Sequence, residues 1–189
     1  MNAPRKMLLS LAIIAMAQTG VLAAMVVDRV RLLKSGREIV LPVVPVDPRD
    51  LFKGEYARLG YDVGNVPTRL LEGPSPRRSA AFYVVLEKKP DGAWAPAKIS
   101  RAMPKETSPD RIVLKARALH GRIDTSRGER VAVRYGIESY FVPEGRGLEL
   151  EKLARDKRMA TLVAVDTKGN AAIKGLIIDG KLQYEEPLF

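Results

Sequence analysis

Residues 159–178 read MATLVAVDTKGNAAIKGLII. Two apolar runs, Met159 to Val165 and Ala171 to Ile178, flank the polar segment Asp166 to Asn170. Short runs rich in β-branched residues and bounded by turn formers read as two strands of a hairpin. Immediately C-terminal, Asp179-Gly180 opens another turn before Leu182 to Tyr184. On the N-terminal side, Gly147 to Lys157 (GLELEKLARDK) has helical spacing. Leu148, Leu150 and Leu153 are available to pack, and Glu149–Lys152 and Glu151–Arg155 sit at i,i+3 and i,i+4.

The same period-two pattern continues upstream. Ser139 to Val142 is a short apolar stretch. Arg111 to Leu119 and Glu129 to Tyr135 form a pair joined through Gly121 to Gly128. Ala81 to Lys88 and Ala93 to Ser100 flank Pro90-Asp91-Gly92, a hairpin signal. Val66 to Pro76, rich in Pro and Gly, reads as a loop. Glu55 to Val63 reads as one strand, with Tyr56, Arg58, Gly60 and Asp62 on one face and Leu59, Tyr61 and Val63 on the other. Glu38 to Val46 (EIVLPVVPV) is a strand in which Pro42 and Pro45 lack donors, so an edge or irregular position is expected. The sum is about nine short strands and one short helix. That is a mainly β chain, an antiparallel β-barrel or sandwich, with no repeat of fixed period.

Further out, Met7 to Val27 (MLLSLAIIAMAQTGVLAAMVV) holds 21 residues without a charge. As a helix it spans about 31 Å, close to the ~30 Å hydrocarbon core of a bilayer. Arg5 and Lys6 precede it. A cleaved signal peptide has a shorter apolar core and a small-residue cleavage site. Ala15-Met16-Ala17 offers such a site only inside the apolar run, and the uninterrupted length favours an uncleaved transmembrane anchor. Three segments are therefore expected: 1–27 basic region and anchor, 28–37 a basic juxtamembrane linker, and 38–189 the β-rich domain. Arg29, Arg31, Lys34 and Arg37 beyond the helix argue by the positive-inside rule for a cytoplasmic domain. The short basic region in front argues for the opposite side. The expectation is a single pass through a bacterial cytoplasmic (inner) membrane with the domain on the periplasmic side, the later cations lying on anionic headgroups.

The chain carries a formal charge of +10, of which Arg5 and Lys6 supply two, leaving +8 for the remainder. Anionic lipid or polysaccharide is attracted to such a surface. Nucleic acid is not the expected partner: there is no zinc-finger, RNA-recognition or basic-zipper pattern, and aromatic content is 6%. Cysteine is absent, which excludes disulfides, thiolate metal sites and a thiol nucleophile. The single histidine, His120, excludes sites that need two. No P-loop, dinucleotide fingerprint or metal motif is present, and no cofactor or metal is expected.

Val46 to Asp62 reads VDPRDLFKGEYARLGYD. With Gly54, Glu55, Tyr56, Leu59 and Tyr61 at its centre, it resembles the bacterial GDYXXLXY family, whose name spells its motif. The preceding Asp47-Pro48-Arg49-Asp50 and the later RYGIESYFVPEG, Arg134 to Gly145, followed by Glu149 and Glu151, are also similar to that family. One departure is that the motif aspartate is Glu55 here, one methylene longer. The resemblance implies a membrane-associated protein and brings no catalytic residues with it.

Candidate binding residues follow from these two segments: Asp47, Arg49, Asp50, Glu55, Tyr56 and Tyr61 from the first, and Arg134, Glu138, Tyr140 and Glu144 from the second. Structural roles compete with this. Asp47 and Pro48 suit the start of a short helical turn, and Gly54 allows the chain to turn into the strand. Tyr56 and Tyr61, five apart, fall on opposite faces, one ring packing inward. Arg134, Glu138, Glu144 and Arg146 are equally able to form surface ion pairs. The leading expectation is a membrane-anchored, non-enzymatic β-domain that binds a membrane-protein partner or an anionic envelope component. The alternative is a signal-peptidase-like serine/lysine hydrolase or a degenerate relative. It needs a serine beside a buried lysine, yet the Ser-Met-x-Pro element is missing, and Lys157-Arg158, a dibasic pair in roughly the expected downstream region, is an easy coincidence in so basic a chain. A third reading is a domain that stabilises a larger membrane protein.

Overall fold

The first element, α1 (Ala3–Ser35), is 33 residues long, or about 50 Å of helix. The side chains from Met7 to Arg29 are exposed. The stretch Met7–Lys34 is long and apolar enough to cross a membrane, and its apolar window is 0% buried. An apolar helix whose flanks meet no protein supports a single-pass membrane protein. The structure is a computed structural model that describes residues 3–45, 56–73, 80–106, 108–119, 129–141 and 147–185.

Residues 28–37 are occupied by the last turns of α1, by Gly36 and by the first residue of strand β1 (Arg37–Val44). Leu33, in the last turns of α1, is buried, and the helix packs on β10 (Met159–Val165) and β11 (Ala171–Ile178). A Cβ on Gly36 would lie 2.8 Å from the backbone N and O of Val165 and 3.0 Å from the Leu32 carbonyl. Only glycine allows helix and sheet to approach this closely. The Arg37 guanidinium then donates to three carbonyls, those of Ser108 (3.2 Å), Arg111 (2.7 Å) and Pro109.

Among the described residues two five-stranded antiparallel sheets form a sandwich with no closed barrel. One sheet has the order β12-β11-β10-β1-β3, with β12 at Lys181–Glu185 and β3 at Gly60–Tyr61. The other has the order β4-β8-β7-β5-β6. Its strands are β4 (Asn65–Pro67), β5 (Phe82–Lys88), β6 (Trp94–Ser100), β7 (Arg111–Ala118) and β8 (Arg130–Arg134). A small ribbon pairs β2 (Tyr56–Arg58) with β9 (Ser139–Phe141). Ile39, Leu41 and Val43 of β1, Phe82, Val84 and Leu86 of β5, and Ile112, Leu114 and Ala116 of β7 point into one core. Leu150, Leu153 and Ala154 of α2 (Gly147–Arg155) join it.

The hairpins fall where the turn chemistry places them. Gly92 has φ +83°, and its N–H donates to the Lys89 carbonyl. Asp179 and Gly180 both have positive φ between the paired residues Ile178 and Lys181, as a two-residue hairpin turn requires.

Two expectations need correction. Glu55 to Val63 is not one strand: its described residues split into β2, which pairs with β9, and β3, which pairs with β1. Val66 to Pro76 is not wholly a loop, because Asn65–Pro67 is an edge strand that ends on Pro67, where a missing donor costs least. It is followed by a 3-10 turn, Thr68–Leu70. β1 is irregular, as its prolines lead one to expect: it pairs with β10 over Arg37–Pro42 and changes partner to β3 at Val43–Val44. Its ladder to β10 ends at Pro42, the residue without an N–H. The described residues hold twelve strands, more than the nine or so expected.

Candidate functional site

The two signature segments meet. In β2 and β9, Ala57 lies opposite Tyr140 and Arg58 opposite Ser139. The Leu59 N–H donates to the Glu138 carbonyl at 2.9 Å. Two phenols cross the joint in opposite senses. Tyr61 Oη donates to the Ile137 carbonyl at 2.9 Å, and Tyr135 Oη donates to the Val63 carbonyl at 2.7 Å. Both rings are buried. The segments are joined by backbone and phenol hydrogen bonds across more than 70 residues of sequence.

Burial raises the pKa of both phenols. For Tyr61 burial is the largest cause, a hydrogen bond with Thr161 works against it, and the Glu138 charge adds to it. For Tyr135 burial is again first and Glu138 second. Each therefore stays protonated as a hydrogen-bond donor.

Glu138 is a turn lock. Its carboxylate accepts the Tyr135 N–H at 2.6 Å and the Gly136 N–H at 3.0 Å. Gly136 sits at φ +87°, a conformation that favours glycine. Tyr140 is buried in the core cluster, whereas Arg134 is exposed at the end of β8. Asp47, Arg49, Asp50, Glu55 and Glu144 lie outside the described residues, and of Tyr56 only the backbone is described.

Beside this joint runs an open groove of about 580 Å³, lined by residues 115–119 of β7 and the turn after it, by Arg134 to Gly136, Glu138 and Ser139, and by Asn170 and Ala171. A second hollow of about 370 Å³ shares Leu119, Arg134, Glu138 and Ser139 and extends over Arg58 to Tyr61. Such volumes suit a small ligand or a headgroup. Among the described residues the lining is mostly cationic, with Arg58 and Arg117 each making an interaction of its own. Lys115, Arg117, Arg134 and Arg58 line the two hollows together with one carboxylate, Glu138, which is already committed to two backbone N–H groups. Arg117 lies directly opposite Arg134 in the β7–β8 ladder.

The sequence reading missed Lys115, Arg117, Leu119 and Asn170. The alternation in β7 carries a signal for the first two, because Lys115 and Arg117 occupy the face opposite Ile112, Leu114 and Ala116. Among the described residues no three His, Asp or Glu side chains are grouped to hold a metal ion.

No curated protein and no solved structure matches the chain. The model of the GDYXXLXY protein family matches residues 18–176, a span that runs from mid-α1 through both hydrogen-bonded segments into β11. The chain belongs to the GDYXXLXY protein family.

Proposed function

We propose that this protein is a non-enzymatic binding module, held at a bacterial cytoplasmic membrane by α1, whose ligand surface is the cationic groove between β7, β8 and the Tyr135–Ser139 turn. The domain is taken to stand on the periplasmic side. The observation that carries the reading is the groove itself: among the described residues Lys115 and Arg134, beside Arg58 and Arg117 that each make an interaction of their own, line it with one carboxylate that is already committed, on a scaffold locked by two buried tyrosines. A rigid scaffold with exposed charge suits recognition of an anionic envelope component.

The hydrolase alternative has less support. Lys115 and Ser139 both line the groove, but no hydrogen bond joins them, and Lys115 is exposed, whereas a lysine base needs burial. The buried phenols hold their protons and are engaged with backbone carbonyls.

A photoreactive residue in place of Leu119 in the full chain, irradiated in native membranes, tests this. The expected result is a defined adduct, protein or lipid, that is lost on raising the salt concentration and lost in Lys115→Gln/Arg134→Gln. An adduct pattern unchanged by the double substitution, or no adduct at all, refutes a binding role for the groove.

A further inference from the structure

One rim of the groove, Asn170 and Ala171, lies at the end of the domain where the membrane helix arrives. Arg37, two residues beyond the end of α1, pairs with Val165, and Val165 pairs with Ala171. Ala171 and its neighbour Asn170 line the groove. Two strand spacings separate Arg37 from Ala171, roughly 10 Å. β7 spans the same region. Its Arg111 carbonyl accepts the Arg37 guanidinium, and its Lys115 N–H donates to the Gly169 carbonyl at 2.7 Å, in the turn that precedes Ala171.

The helix fixes the height. The uncharged stretch ends at Val27 and α1 continues to Ser35, so the domain starts about 12 Å above the apolar boundary. The polar layer on each side of a bilayer is roughly 5–8 Å deep, so an upright helix holds the first strand roughly 4–7 Å beyond it, a gap that tilting of α1 narrows and that long cationic side chains reach across. No flexible linker intervenes to let the domain drift, because Gly36 is wedged against Val165 and Arg37 is bonded to the second sheet.

Taking these together, we infer that the groove holds the phosphate-bearing headgroup of an anionic phospholipid from the leaflet in which α1 is rooted. This rests on the binding role proposed above and names its ligand. Lys115 and Arg134 carry it. Arg134 offers the planar fork that matches phosphate oxygens, and Lys115 adds a point charge. Arg117, opposite Arg134, makes an interaction of its own and adds to the local positive potential. The Ser139 hydroxyl and the Asn170 amide, both in the lining, supply neutral hydrogen-bonding groups for a glycerol or sugar hydroxyl.

The test uses the full chain in nanodiscs and reads the acylation rate of the Lys115 amine by mass spectrometry. One set of discs is phosphatidylcholine alone, a second contains phosphatidylglycerol, and a third is phosphatidylcholine with soluble glycerol phosphate added. Lys168, exposed in the β10–β11 turn, reports the general effect of surface charge. Phosphatidylglycerol is expected to slow Lys115 about fivefold relative to Lys168, as a charge-assisted hydrogen bond would. Soluble glycerol phosphate is expected to do little, and Arg134→Gln to abolish the protection. Equal slowing of Lys115 and Lys168, or protection that survives Arg134→Gln, overturns the inference. Equal protection by soluble glycerol phosphate overturns the lipid source. If Lys115 is unprotected while the Leu119 photoprobe still captures a protein, the headgroup inference fails and the binding role stands. If both are silent, both fail.

Discussion

Replacing Tyr135 by phenylalanine isolates one bond of the joint between the signature segments. The ring is retained, so no cavity opens. What is lost is the 2.7 Å hydrogen bond to the carbonyl of Val63, a buried residue. A buried acceptor left without its donor costs about 1–3 kcal/mol. For a domain of this size that corresponds to a fall of roughly 3–9 °C in Tm. The assay is denaturant and thermal unfolding of the detergent-solubilised full chain, followed by the fluorescence of the single tryptophan, Trp94. The midpoint is expected to fall with the m-value unchanged. Tyr61→Phe removes the reciprocal bond to Ile137 and is expected to cost a similar amount. Because both bonds close one joint, the double variant is expected to depart from additivity by about 0.5 kcal/mol or more. A Tyr135→Phe protein that unfolds at the wild-type midpoint refutes the idea that these tyrosines hold the segments together.

The same two groups set the alkaline limit. Their folded-state pKa values are raised, so their stabilisation is complete below the unfolded value of about 10 and is lost as pH rises above it, by up to about 1.4 kcal/mol per pH unit for each. Unfolding free energies measured from neutral pH upward are expected to show that slope in the wild type and to lose it in Tyr61→Phe/Tyr135→Phe. Asp179 works in the other direction. Its carboxylate takes two 2.6 Å bonds from Arg158, and that hydrogen bonding holds its pKa below the usual value. Asp179→Asn is expected to lower stability at neutral pH, with the difference from wild type shrinking as pH falls below about 3.9. Gly36→Ala drives a Cβ into the backbone of Val165 and is expected to cost about 1–3 kcal/mol. It should also speed proteolysis between α1 and β1 in the native state. Gly175→Ala drives a Cβ into the Tyr184 carbonyl, and hydrogen exchange in β12 is expected to accelerate selectively.

Local features were legible in the sequence and long-range pairings were not. Asp179-Gly180 and Pro90-Asp91-Gly92 set their turns by backbone preference alone. The buried alternation Leu59, Tyr61, Val63 stands even though its strand is broken, because side-chain period survives a change of partner. The break itself depends on β9 and β1, which capture Arg58 and Tyr61 from distant parts of the chain. Pro42 suggested an edge or irregular strand, and its missing donor is accommodated where the β10 ladder stops. Glu138 and Tyr140 were legible as a polar segment, yet their roles diverge: one locks a turn and the other fills the core. The concentration of charge in the groove arises only when β7 pairs with β8 and sets Arg117 opposite Arg134. β7 alone shows only Lys115 and Arg117 on its outer face.

The end of the domain that carries the Asn170–Ala171 rim of the groove is proposed to stand on the bilayer. The chain has no cysteine, so single-cysteine labels report position cleanly. Lys168 lies in the turn at the groove end of β10, and Lys181 pairs with Ile178, opposite Met159 at the other end. Seven strand residues separate the two ends, roughly 20 Å. Energy transfer from a fluorophore on Lys168→Cys or Lys181→Cys to an acceptor on lipid headgroups, in nanodiscs carrying the full chain, measures both heights. Efficient transfer is expected from position 168 and markedly weaker transfer from position 181. Equal transfer from the two, or the reverse order, contradicts it.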